Sequence, residues 1–96
     1  MRNYELVVIF DSSLEEEAID KELSKVTSLL EKEKCEVLDI DKWGVRKLAY
    51  PIKKQENGYY IILYFKGISS VIPELNRINK INDKVLRHLV VRSNEL

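Results

Sequence analysis

The sequence predicts an α+β fold in which strands and helices follow one another as β-α-β-β-α-β, and three observations carry that expectation. Residues 4–10 and 59–66 are β-branched and aromatic along nearly their whole length, as strands covered on both sides are. Ile19, Leu23, Val26 and Leu30, and later Val71, Leu75 and Ile78, recur at the three- and four-residue steps of an amphipathic helix. Two βαβ units in succession, with right-handed crossovers, place both helices on one face of a four-stranded antiparallel sheet. The result is a ferredoxin-like arrangement with the first and third strands central.

Each element has its own local reason. In the first strand, residues 4–10, only Glu5 interrupts the apolar run. Asp11-Ser12-Ser13 ends it, and Ser13 with Glu16 has the spacing of a capping box. Glu15, Glu16, Glu17 and Asp20 then lie where the helix dipole favours negative charge. The second strand starts near Glu36 and continues past Gly44 to Tyr50. A glycine inside a strand marks a bulge or bend, and Pro51, unable to donate to a ladder, puts this strand end at a sheet edge or outside the sheet. Residues 53–58 read as a polar hairpin loop with Asn57-Gly58 supplying positive φ. The second helix spans about 70–80, capped by Ser69 or Ser70, with Pro73 tolerated in its first turn. Asn82-Asp83 turns the chain into a last strand, residues 85–92. One domain is expected over residues 1–93, with a short tail at 94–96.

The sheet face away from the helices should carry Val7 and Ile9 with two or three of Tyr60, Ile62 and Tyr64. An uncovered apolar surface of this kind marks an interaction site.

Composition narrows the function. At 96 residues there is room for one core, and 45% hydrophobic content is enough to build it. No apolar run reaches the roughly 18 residues of a membrane span, and no secretory leader is indicated. Cys35 is the single cysteine, which fits a reducing compartment, and a cytoplasmic location is expected. The 16 basic and 16 acidic residues cancel in number but not in place. Residues 11–41 hold 11 acidic and 4 basic side chains, a balance of −7, and residues 42–96 hold 11 basic and 4 acidic, a balance of +7. Such a split points to a polyanionic partner for the basic half.

Catalytic chemistry finds little to build on. His88 is the one histidine, Cys35 is distant in sequence, and neither a zinc spacing nor a glycine-rich phosphate loop is present. A Cys–His pair requires the fold to bring the two together. Acylphosphatases share the topology, but their glycine-rich loop with its arginine is missing. No enzyme activity, cofactor, metal or small-molecule substrate is therefore expected. The nucleic-acid reading has more support. Lys42, Arg46, Lys47, Lys53 and Lys54 frame the second strand and hairpin, with Tyr50 among them and Tyr60 and Tyr64 on the next strand. Cations neutralise phosphates and tyrosines stack on unpaired bases. The third-strand consensus of the RNA recognition motif is met only in part by residues 58–64: Tyr60 and Ile61 depart from it, as does Asn57 just before the glycine.

One stretch goes further than fold class. Trp43-Gly44-Val45-Arg46-Lys47-Leu48-Ala49-Tyr50-Pro51-Ile52 resembles the signature of the bacterial small-subunit ribosomal protein six family. Met1-Arg2-Asn3-Tyr4-Glu5, Asn57-Gly58-Tyr59, Asn82-Asp83-Lys84-Val85-Leu86-Arg87 and Val90-Val91-Arg92 resemble other family segments in the same order. Two departures stand out. Lys34 replaces a glycine that often ends the first helix, so a different cap is expected there. The sequence also stops at Leu96, without the long charged extension of some members. The resemblance implies a structural constituent of the small ribosomal subunit that binds the central domain of 16S rRNA together with small-subunit ribosomal protein eighteen. Arg2, Tyr50, Lys53, Lys54, Arg87 and Arg92 are the expected RNA contacts. Asp41, Lys42, Trp43, Arg46 and Lys47 line an edge strand, where charge discourages self-pairing and can select a protein neighbour.

Overall fold

The alternation of apolar runs and amphipathic repeats resolves, in a computed structural model that describes residues 2–92, into seven elements. They are β1 (Arg2–Asp11), α1 (Glu16–Lys32), β2 (Glu36–Ile52), β3 (Gln55–Gly67), a 3-10 turn (Ser69–Val71), α2 (Ile72–Lys80) and β4 (Val85–Arg92). The sheet order is β2-β3-β1-β4, every neighbouring pair antiparallel, so β1 and β3 are central and β2 and β4 are edges. This is the ferredoxin-like topology expected from the sequence. The tail expected at residues 94–96 lies outside the described residues.

Strand alternation decides what each face does. Tyr4, Leu6, Val8 and Phe10 of β1 and Ile61, Leu63 and Phe65 of β3 turn to the helices. There they bury Ile19, Leu23, Val26 and Leu30 of α1, with Val71 of the 3-10 turn and Leu75 of α2. Tyr4 stacks on Phe65 at 5.3 Å between centroids. Burial of a large apolar side chain contributes about 1.5–3 kcal/mol, so this face holds the fold. The other face carries Glu5, Val7 and Ile9 in the middle. Tyr64, Ile62 and Tyr60 lie opposite them on one side, and Val91, Leu89 and Arg87 on the other. The register slips in β2 at Leu38 and at Trp43, and each slip sets an extra apolar residue beside this face. Gly44, with φ of 83°, follows the second slip, as a bulge glycine should.

The β2–β3 hairpin runs on past the end of β1, where Gly58 pairs with Asp11. It does not project into solvent. Leu48 packs on Ile9 and Leu86 in a second, smaller apolar cluster, with Ile52 and Tyr60 against it. Gly58 makes this closure possible: a Cβ there would lie 2.3 Å from Ile9 Cγ2, with Leu48 and Leu86 at 3.4 and 3.5 Å. The expected Asn57-Gly58 turn is therefore corrected. The chain reverses at Lys53 and Lys54, with φ of 49° and 65°, between the paired residues Ile52 and Gln55. That is a two-residue turn of the primed type. Gly58 is spent on close approach and lies within β3.

Three helix ends also differ from expectation. The Ser13–Glu16 capping box does not form, because both the Ser13 amide and hydroxyl donate to Asp11 Oδ1, at 2.9 and 2.7 Å. Helix α1 starts two residues later, with Glu15 as an N-cap that makes no side-chain bond. Neither Ser69 nor Ser70 caps α2; the chain enters through the 3-10 turn, with Pro73 in the first turn as expected. At the other end of α1, the Lys34 amide donates to the Glu31 carbonyl and the Cys35 amide to the Leu30 carbonyl. This is the Schellman pattern. No different cap is used: Lys34 itself takes the left-handed conformation, with φ of 61°.

Candidate nucleic-acid and partner interface

The hairpin arm assembles one group of the expected contact residues. Tyr50 lies near its end and Arg87 on β4, 37 positions apart in sequence, yet Arg87 Nη1 donates to the Tyr50 hydroxyl at 2.6 Å. Lys53 Nζ donates to the Val85 carbonyl at 3.4 Å. The neighbouring Lys54 is exposed in the turn. Tyr50, 56% exposed, and Arg87 thus bridge β2 and β4 across the end of the sheet, over the Ile9–Leu48–Leu86 cluster. A depression of about 240 Å³ adjoins them, lined in part by Val7, Ile9, Tyr60, Arg87 and Leu89.

Arg2 and Arg92 do not join this group. Arg92 pairs with Tyr4 and Arg2 with Gly67, at the opposite end of β1 from the Ile9–Arg87 pair. Five residues separate Arg87 from Arg92, about 17 Å along a strand, and an odd separation puts their side chains on opposite faces. Arg2 lines a separate shallow pocket with Tyr4, Gly67, Ile68 and Ser69.

The edge residues divide as well. Trp43 is 47% exposed and stacks on Tyr60 at 6.4 Å, so one face of that tyrosine is already covered. Its indole N–H donates to Asp41 Oδ2 at 2.9 Å. Arg46 Nε donates to the Trp43 carbonyl at 3.3 Å, and the guanidinium lies 5.9 Å from the indole centroid. Asp41, Trp43 and Arg46 form one linked cluster, with exposed Lys47 next to it. Lys42 is the departure. Its ammonium is bonded to Asp20 and lies 3.9 Å from Glu16, both on α1. The hydrogen bond to Asp20 is the main reason its pKa stands above the ordinary lysine value, against the opposing effect of burial. Lys42 ties the edge strand to the helix layer.

Electrostatically the open face has two ends. Partial burial, then the carboxylates of Glu5, Asp41 and Asp39, raise the Tyr64 phenol above its usual pKa. Arg87 and Arg46 mark the opposite, arm-side end.

The two residues considered for nucleophilic chemistry are apart. Cys35 is buried against Gly67, while His88 pairs with Val8. Gly67 pairs with Arg2, which is six residues along β1 from Val8, about 20 Å. Burial, with a smaller effect from Lys80, holds His88 below its ordinary pKa. What sequence reasoning missed is Glu22, 4% exposed on α1, which receives a hydrogen bond from Asn82 Nδ2 at 2.7 Å. Only its place four residues before Val26 and one before Leu23, on the rim of the apolar stripe, could have signalled it.

Fold and site together define an α+β domain: a helix-backed sheet with an open face, a charged edge and a hairpin arm that carries basic residues. Comparison with known proteins makes this specific. The family model for Ribosomal protein S6 matches residues 3–92. Small ribosomal subunit protein bS6 of Heliobacterium modesticaldum is 44% identical over 95 residues, covering 99% of each chain. That of Desulforamulus reducens is 41% identical over 95 residues, 99% of this chain and 100% of the relative. The crystal structure of 30S ribosomal protein S6 from Thermotoga maritima superposes with a TM-score of 0.89 at 27% identity, over 96% of this chain and 87% of that one. The chain belongs to the ribosomal protein S6 family, a family of structural ribosomal proteins and not of enzymes.

Proposed function

We propose that this chain is a structural constituent of the small ribosomal subunit, binding the central domain of 16S rRNA together with small-subunit ribosomal protein eighteen. The observation that carries the reading is the convergence of Arg87, Lys53, Lys54 and Tyr50 on the hairpin arm. A polyanion is favoured there and disfavoured at the end of the face that holds Glu5, Asp39 and Asp41. Arg2 and Arg92 supply a second, separate contact to the RNA backbone. The protein neighbour docks along β2, against the cluster of Asp41, Trp43, Arg46 and Lys47, with Lys42 bracing the strand from behind. Trp and Arg at such a cluster are the residue types that anchor protein interfaces. The working location is ribosome-bound in the cytoplasm, residues 1–93 act as one domain, and no cofactor or small substrate takes part.

Co-sedimentation tests the reading: the chain should travel with the small subunit through a high-salt cushion. In a binding assay with a central-domain rRNA transcript, Arg87→Ala with Arg92→Ala should weaken affinity. The salt slope should become shallower by roughly 0.9 for each phosphate no longer neutralised. An unchanged slope would remove the β4 arginines from the RNA interface.

A further inference from the structure

The arm that bears the basic residues is itself built, and its parts have unequal roles. Leu48 is buried on Ile9 and Leu86, and Gly58 leaves the space that lets it close. Beyond this anchor the Tyr50 ring is largely exposed, so its packing contributes little to the core. Its hydroxyl nevertheless accepts a 2.6 Å hydrogen bond from Arg87 Nη1. Arginine has five N–H donors in a planar fork, so one bond to a phenol leaves four for a phosphate. It also fixes the direction in which they point. An unanchored arginine on an exposed strand edge samples many rotamers and must give up that freedom when it binds.

We infer that Tyr50 is a positioning residue for RNA recognition: its hydroxyl pre-orients the Arg87 guanidinium toward the RNA backbone, beside Lys53 and Lys54. This rests on the proposed rRNA-binding function and adds to it a division of labour within the arm. Arg87 supplies charge, and Tyr50 supplies geometry without charge. The rigid anchor beneath them, Leu48 on Ile9 and Leu86, makes the geometry reproducible. Lys53, held to the Val85 carbonyl, is oriented in the same manner from the other side of the turn.

The two roles have different signatures. The test measures the affinity of a central-domain 16S rRNA transcript, with ribosomal protein eighteen present, for four proteins over a salt series. These are the parent chain, Tyr50→Phe, Arg87→Ala and the double variant. Tyr50→Phe keeps the ring and removes the hydroxyl alone. It should lower affinity about three- to tenfold, the cost of ordering one long side chain on binding. Its salt slope should stay unchanged, because the same phosphates are neutralised in both proteins. Arg87→Ala should lower affinity and flatten the slope by roughly 0.9. In the double variant the loss should equal that of Arg87→Ala alone, since Tyr50 then has nothing to orient. The urea midpoint of Tyr50→Phe should stay at the parent value, which a purely structural role for the hydroxyl would not allow. Additive losses, or full affinity in Tyr50→Phe, would overturn the positioning role while leaving the RNA reading intact. Full affinity and an unchanged slope in Arg87→Ala would overturn both at this arm.

Discussion

Lys34 holds a conformation that its own side chain disfavours. A non-glycine residue in the left-handed region costs roughly 1–2 kcal/mol, and glycine gives back part of that gain through its greater freedom when unfolded. Lys34→Gly should therefore stabilise the protein by about 0.5–1 kcal/mol, read as a higher urea midpoint at constant m-value. A lower midpoint would mean that the lysine stem makes a contact worth more than the strain. Gly58 poses the reverse case. Ile9 Cγ2 sits on a β-branched carbon in the packed small cluster and has little room to retreat. Gly58→Ala should destabilise by about 1–3 kcal/mol, the usual cost of overpacking. These two residues also show where reading the sequence reached its limit. Asn-Gly is the strongest short hairpin signal, and nothing local says that this glycine is needed for a contact with β1. The turn went to two lysines, residue types with no special preference for positive φ. Only the position of Ile9 across the sheet explains the choice.

Among the elements, the strands were more legible than the caps. Burial on both faces made β1 and β3 recognisable as central, and Gly44 and Pro51 marked β2 as the irregular edge. Caps depend on competition between neighbouring side chains: Asp11 took the Ser13 amide hydrogen that a capping box would have given to the Glu16 side chain. The join between α1 and the turn before β4 was equally hidden, because it rests on one carboxylate. Burial pushes Glu22 up in pKa, but bonds from Asn82 and Lys25, with the charges of Lys25 and Lys84, outweigh it and leave the group below its ordinary 4.5. The unfolded chain then binds the proton more readily than the folded one. The contribution of Glu22 is therefore complete above about pH 4.5 and is lost as pH falls through the lower, folded value. Glu22→Gln, neutral throughout, should be less stable than the parent at pH 7. Its urea midpoint should also fall less steeply between pH 5 and pH 3. Parallel midpoint-versus-pH curves for the two proteins would show that the acid loss comes from other carboxylates, of which Asp11 is the first to examine. Its pKa is also lowered, chiefly by the Ser13 amide, then by Gln55 and the Ser13 hydroxyl.

At the scale of the molecule, the charge split in the sequence becomes a spatial division of labour. The acidic half forms α1 and the first part of β2, and the basic half contributes the arm and β4. What the linear pattern could not reveal is the grouping of its members. Arg87 joins Tyr50 and Lys53, Arg2 and Arg92 lie at the far end, and Lys42 turns back to α1. Two binding functions placed at different positions along β2 should then be separable by substitution. Arg46 is the best residue with which to test this, because it lies opposite Gly58, between Trp43 and the arm, and interacts with Trp43 alone among the cluster. Arg46→Glu gives up an exposed cation–π contact worth about 0.5–1 kcal/mol, which bounds its effect on stability. At a charged partner surface the reversal replaces an attraction by a repulsion. It should weaken binding of ribosomal protein eighteen by roughly 1–2 kcal/mol, about five- to thirtyfold. The loss should be greatest at low salt, where surface charges are least screened. Titration of the purified partner against parent and variant, with urea melts in parallel, measures both quantities. Equal partner affinity in the two proteins would move the docking surface off the β2 edge. A loss of affinity no larger than the loss of stability would reduce Arg46 to a support for the Trp43 ring.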